Sequence, residues 1–179
     1  MQKNTDNISF NDIRDSIINT KKFNELKSES HHGLTRYIHV MRVSKYTYKI
    51  SKKLGMDYVS ATRAALLHDY FTEYDFHGTK GIKKGIDHPL IAYNNASKEF
   101  NLNEIEKNAI TSHMFPLGTT IPKYKESWVL TLVDKSVATY ELTMFKFKNA
   151  IALYTIFFIN MILFGQRLWI ICKNVMSFW

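Results

Sequence analysis

The chain has 179 residues, with 24 Lys+Arg against 16 Asp+Glu and a formal net charge of +8. Hydrophobic content of 45%, charged content of 22% and only 7 Gly and 3 Pro exclude a disordered, collagen-like or low-complexity chain. They also favour helices over a turn-rich β fold. The single cysteine, Cys172, excludes an internal disulfide framework and a cysteine-based zinc site. With the polar opening MQKNTDNISFNDIRDS, it leads to the expectation of a cytoplasmic protein without a signal peptide. The positive charge points to an anionic partner. Basic residues come in pairs such as Lys52-Lys53 and Lys83-Lys84, short of the roughly five or six that mark a nucleic-acid arm. No dedicated nucleic-acid binding is therefore expected.

The predicted elements are all helical. Residues 8–27 space Phe10, Ile13, Ile17, Ile18 and Phe23 as one amphipathic helix. His31-His32-Gly33 breaks the chain, and Thr35 caps a second helix that Gly55 stops after Leu54. Asp57 caps a third helix through Ala64, Ala65, Leu66 and Leu67. Residues 74–87, with Gly78, Gly81 and Gly85, read as an exposed loop, and Pro89 opens a fourth helix to about residue 100. Asn103 caps a fifth helix, with Glu104 and Glu106 beside its positive end. Residues 125–143 form a sixth, expected to bury Trp128, Leu132, Val133 and Val137.

After Glu141 the composition changes: four basic residues follow and no acidic ones. The domain is therefore expected over residues 1–141, with its core at about 30–141, and an apolar, basic C-terminal helix over 142–179. The run Ala150–Phe164 has only Tyr154, Thr155 and Asn160 as polar residues, but a spanning helix needs about 20 apolar residues. A helix packed on the domain or on a partner, including a second copy of the chain, is preferred to a membrane helix anchored by Trp169, Lys173 and Trp179.

Six residues invite chemistry. His39 lies mid-helix, and His68-Asp69 ends the apolar run Ala64–Leu67. His88 precedes Pro89, His113 ends the fifth helix, and Asp134 follows Leu132-Val133 on an apolar face. Each histidine alone is more simply a hydrogen-bonded core residue. A carboxylate in an apolar setting, however, needs a basic partner or a metal. His and Asp groups from several helices can converge in a bundle core, and imidazole plus carboxylate suits Fe, Mn or Zn. His31, His32 and His77 are expected at solvent-exposed turns.

In this order, His39, His68-Asp69 and Asp134 resemble the HD-domain metal-dependent phosphohydrolases. The text around them is Arg36-x-x-His39, Ala64-Ala65-Leu66-Leu67-His68-Asp69-Tyr70 and Leu132-Val133-Asp134-Lys135. His88-Pro89 and Ser112-His113 resemble the subset with two extra histidines, which includes the HD-type symmetrical diadenosine tetraphosphate hydrolases. The resemblance covers residues 30–141. It implies an all-α helical HD-domain bundle and two divalent ions, Fe or Mn first, with Zn or Mg as alternatives. His39, His68, Asp69 and Asp134 would ligate the first ion; His88 and His113 would add the second, with Asp69 bridging. It further implies hydrolysis of a phosphomonoester or phosphoanhydride in a nucleotide-like substrate, by two-metal activation of a bridging water that catalytic Asp69 helps to hold. Arg36, one turn before His39, either binds a substrate phosphate oxygen or pairs with a ligand carboxylate. A non-catalytic metal- or nucleotide-binding regulatory module is the alternative function. Tyr70-Phe71-Thr72-Glu73 follows the His-Asp pair and no Gly-Tyr-Pro exists, so hydrolysis of cyclic dinucleotides is not implied.

Overall fold

Side-chain caps set most of the helix starts. The computed structural model describes residues 8–31, 34–76 and 81–176. α1 (Phe10–Ile18) begins at a capping box in which Ser9 and Asp12 satisfy each other's backbone amides, and it buries Ile13 and Ile17. The single helix expected over 8–27 is interrupted. The Thr20 hydroxyl accepts from the Phe23 amide and starts α2 (Lys21–Glu25), which buries Phe23. A two-residue antiparallel ladder follows, β1 (Ser30–His31) against β2 (Leu34–Thr35), with Ser30 opposite Thr35. His32 and His77 lie outside the described residues, as does the side chain of His31.

Thr35 caps α3 (Arg36–Lys53), which ends before Gly55, a residue at φ +64° that favours glycine. Asp57 caps α4 (Tyr58–Leu67). Ala61, Ala64, Ala65, Leu66 and Leu67 of α4 are all fully buried. The alanines among them let neighbours approach closely, and α4 packs against α1, α3, α5 (Ile82–Glu99) and α6 (Glu104–Ser112).

Both ends of the region expected as an exposed loop are helical. Glu73–Phe76 forms a 3₁₀ turn with Phe76 buried, and α5 begins at Ile82, so Lys83 stands on a helix. Pro89 therefore sits inside α5 rather than in its first turn. There it removes one backbone donor and its ring crowds the carbonyl four residues earlier, so α5 runs through it at a cost. Asn103 and Glu106 form a capping box for α6.

The chain divides into two compact units, residues 1–141 and 142–179. In the first, the start of α7 (Lys125–Met176) is pinned by polar contacts. Asn108 Oδ1 accepts from the Lys123 amide and the Ser127 hydroxyl, both at 2.8 Å. Glu126 Oε1 accepts from the Asp57 amide at 3.0 Å. These bonds rotate α7 so that Ser127, Leu130, Asp134, Val137 and Glu141 face inward. Trp128 and Leu132, expected on the buried side, are 42% and 60% exposed; Val133 and Val137 are buried as expected. In the second unit, α7 carries apolar residues with exposed side chains from Ile151 to Leu163.

Candidate metal centre

The site is built where helix ends meet helix faces. α3 contributes His39, and the C-terminal end of α4 contributes His68 and, next to it, Asp69. α5 supplies His88, the end of α6 supplies His113, and α7 supplies Asp134. All six sequence-derived candidates come together. His68 Nε2 lies 3.5 Å from Asp134 Oδ1 and 3.9 Å from Asp69 Oδ2. His39 Nε2 lies 3.0 Å from Asp134 Oδ1. On the other side, Asp69 Oδ1 lies 3.5 Å from His88 Nε2 and 3.9 Å from His113 Nε2. The two oxygens of Asp69 thus face two different groups of imidazoles.

Backbone carbonyls set the tautomers. His68 Nδ1–H donates to the Ala65 carbonyl at 2.8 Å, and His113 Nδ1–H donates to the Ile110 carbonyl at 2.7 Å. Each ring then turns an Nε2 lone pair into the site. His88 Nε2 and His113 Nε2 are 2.8 Å apart. His68 Nε2 is buried without a hydrogen-bond partner. A buried ring nitrogen left this way is costly in a purely structural core and is available to a metal.

The electrostatics differ across the site. Burial alone would push the His39 imidazole down, but hydrogen bonds to Asp134 and Glu141 outweigh it and hold the ring up at about 10. Burial also opposes protonation of His68, yet the charges of Asp69 and Asp134 raise its pKa. On the far side burial dominates. It pushes His88 below its usual value, and with the neighbouring His88 and His68 it brings His113 down to about 3. His88 and His113 are therefore held as neutral imidazoles, the form that binds metal.

Arg36 is buried, its guanidinium 3.8 Å above the Phe71 ring, with Nη1 donating to the Phe71 carbonyl at 2.9 Å. Its Nε lies 4.0 Å from Asp69 Oδ2, which is the carboxylate-pairing arrangement of its two expected roles. It also lines a cavity of about 520 Å³ shared with Asp69, His88, His113, Asp134 and Lys135.

Glu141 and Arg42 are absent from the sequence-derived candidates. Glu141 Oε2 accepts from His39 Nδ1 at 2.8 Å, and its other oxygen accepts from Arg42 Nη1 at 2.9 Å. The available signal is spacing: Glu141 stands two helical turns after Asp134, and Arg42 one turn after His39. Lys135 enters the sequence reading only as a neighbour of Asp134; its Nζ donates to the His113 carbonyl at 2.8 Å.

A family model for the HD domain matches residues 36–139, a stretch that contains all six candidate ligands. The chain belongs to the HD-domain family. HD-domain proteins are in general metal-dependent phosphohydrolases, and this HD domain has the side chains to hold a divalent metal. Two overlapping groups, His39/His68/Asp134 and His68/Asp69/His113, each place their donor atoms within 4.8 Å of one another. Imidazole and carboxylate donors suit a divalent metal, and the unpartnered His68 Nε2 fits such an ion. No curated protein and no solved structure matches the chain.

Proposed function

We propose that this HD domain hydrolyses a phosphomonoester or phosphoanhydride of a small nucleotide-like substrate, with two divalent metal ions. The convergence of six His and Asp side chains, four of which (Asp69, His88, His113 and Asp134) line one cavity, carries this reading. His39, His68, Asp69 and Asp134 would hold one ion, and His88, His113 and Asp69 the other. The two-sided placement of the Asp69 oxygens supports its bridging position. When bound, such ions lower the pKa of a water and stabilise charge on phosphoryl oxygens.

The residues of the chain supply the rest. Asp69 accepts a hydrogen bond from the attacking water and orients it toward phosphorus. Lys135, fixed by the His113 carbonyl and facing the cavity, offsets phosphate charge. Arg36, with Nε 4.0 Å from Asp69 Oδ2, is placed to orient that carboxylate. Phe71, Phe76, Met114 and Leu117 give the same cavity an apolar wall suited to a flat base or another apolar leaving group.

The test is a hydrolysis screen over a nucleotide panel with Mn²⁺ or Fe²⁺, run beside Asp69→Ala. Turnover in the parent and none in the variant supports the proposal. Turnover retained in Asp69→Ala, or none in either protein, overturns it. Metal analysis should find roughly two ions per chain, falling to about one in His88→Ala.

A further inference from the structure

We propose that residues 149–166 of α7 cross a lipid bilayer and tether the HD domain to it. This rests on the second unit alone and is independent of the reaction assigned to the first. Among the described residues, one helix is long and apolar enough to cross a membrane, and it is α7. Four observations favour lipid as the occupant of its surface.

The first is angular. Successive helix residues are separated by about 100°, so four in a row point all round the axis. Ile156, Phe157, Phe158 and Ile159 are four in a row, all apolar and each 51–61% exposed. Ile151, Leu153, Met161, Ile162 and Leu163 extend this coat in both directions. A helix docking on one protein partner, or on a second copy of this chain, needs an apolar stripe on one side and polar residues on the other. A helix apolar all round matches a solvent that is apolar all round.

The second is length. Lys148 and Arg167 bound 18 residues with no charge between them. At 1.5 Å per residue these cover about 27 Å, close to the roughly 30 Å hydrocarbon core. The narrower run from Ala150 to Phe164 falls short of a span; the distance between charges is the relevant measure. The third is the placement of those charges. Lys146 and Lys148 lie at one end and Arg167 at the other, where long cationic side chains reach the headgroups.

The fourth concerns two polar residues inside the span, Thr155 and Asn160. Thr155 Oγ1 donates to the Ile151 carbonyl at 2.9 Å, and Asn160 Nδ2 donates to the Ile156 carbonyl at 2.8 Å. Each thus turns a donor back onto its own helix. Hydrocarbon offers no partner, so a lipid-facing polar side chain must be satisfied in this way.

The experiment uses the full chain and has two readings. Membranes from expressing cells are washed with high salt and then with alkaline carbonate. The expected result is that the protein stays in the pellet and is released by non-ionic detergent. Release by carbonate, or recovery as a soluble oligomer without detergent, overturns the proposal.

The second reading reports topology. Cys172, the only cysteine, lies beyond Arg167. A comparison protein combines Ser97→Cys, at an exposed position of α5, with Cys172→Ser. Both proteins are reconstituted in sealed phosphatidylethanolamine–phosphatidylglycerol vesicles and treated with a membrane-impermeant maleimide. Vesicles with an outward-facing HD domain are selected by protease accessibility. In these the thiol of the Ser97→Cys protein should label directly, and Cys172 of the parent only after permeabilisation. Equal labelling of both in intact vesicles would mean that the helix lies along the surface, and the spanning proposal fails. Asp69→Ala should leave both readings unchanged, which separates this proposal from the assignment of the reaction.

Discussion

The two stretches of α7 use their residues in opposite ways. From Lys125 to Glu141 the inward face includes Ser127, Thr131, Asp134 and Glu141, while the apolar Trp128 and Leu132 are exposed. From Ile151 to Leu163 the apolar residues are exposed on every side, and Thr155 and Asn160 bond to their own backbone. In the first stretch, Ser127, Asp134 and Glu141 are buried because other helices bring partners to them. In the second, no polar partner from another element is needed. Hydropathy alone ranks the two stretches in one order; their burial depends on the chemistry each face meets.

The largest expected effect tests the polar interior. Asp69→Ala should lower turnover on the order of 10³-fold or more, since metal ions supply several kcal/mol of transition-state stabilisation and each 1.4 kcal/mol is tenfold. Circular dichroism should show the fold retained; unfolding would mean that Asp69 serves the core rather than the chemistry.

A pair of truncations sharpens the contrast directly. Leu66 is fully buried in α4, and Leu66→Ala should cost about 2–5 kcal/mol of stability. Phe157→Ala, on an exposed side chain, should change the unfolding midpoint of the HD domain in detergent by less than about 0.5 kcal/mol. Equal losses from the two would erase the distinction between the stretches.

Glu141→Gln probes the last buried carboxylate before the change. It keeps the shape but weakens the acceptor for His39 Nδ1–H. Metal affinity, read by isothermal titration, should fall by about 10–100-fold, as for other partners of metal-bound histidines. An unchanged affinity would make Glu141 a packing residue only.

The smallest effect is local. Asp57 Oδ1 accepts from the Ser60 amide at 3.0 Å to cap α4. Asp57→Ala should cost about 1 kcal/mol in chemical denaturation while leaving metal content unchanged. A change in metal content would show that the cap also sets the position of His68.

What is readable from sequence follows from the range of the interactions. Thr35, Asp57 and Asn103 are recognisable as caps because a cap joins residues three apart, and each accepts from the third residue on. The break at Thr20 is also local, but the apolar spacing of residues 8–27 runs through it and hides the cap. The candidate ligands are legible because a carboxylate or imidazole at an apolar helix face is chemically conspicuous whatever it touches.

Glu141 is visible in the sequence only as the last acidic residue. Its bond to His39 joins positions 102 apart, and no spacing rule within one helix supplies the partner. The same holds for Trp128 and Leu132, whose exposure follows from the rotation of α7 that bonds to Asn108 and to the Asp57 amide impose. By itself the sequence determined the starts of α3, α4 and α6, the helical class and the stock of metal-binding side chains, because these depend on near neighbours and on side-chain chemistry. Only the tertiary structure decided that Asp69 presents one oxygen to His68 and the other to His88 and His113, and that His39 is held between Asp134 and Glu141. Those arrangements exist only once distant helices have packed.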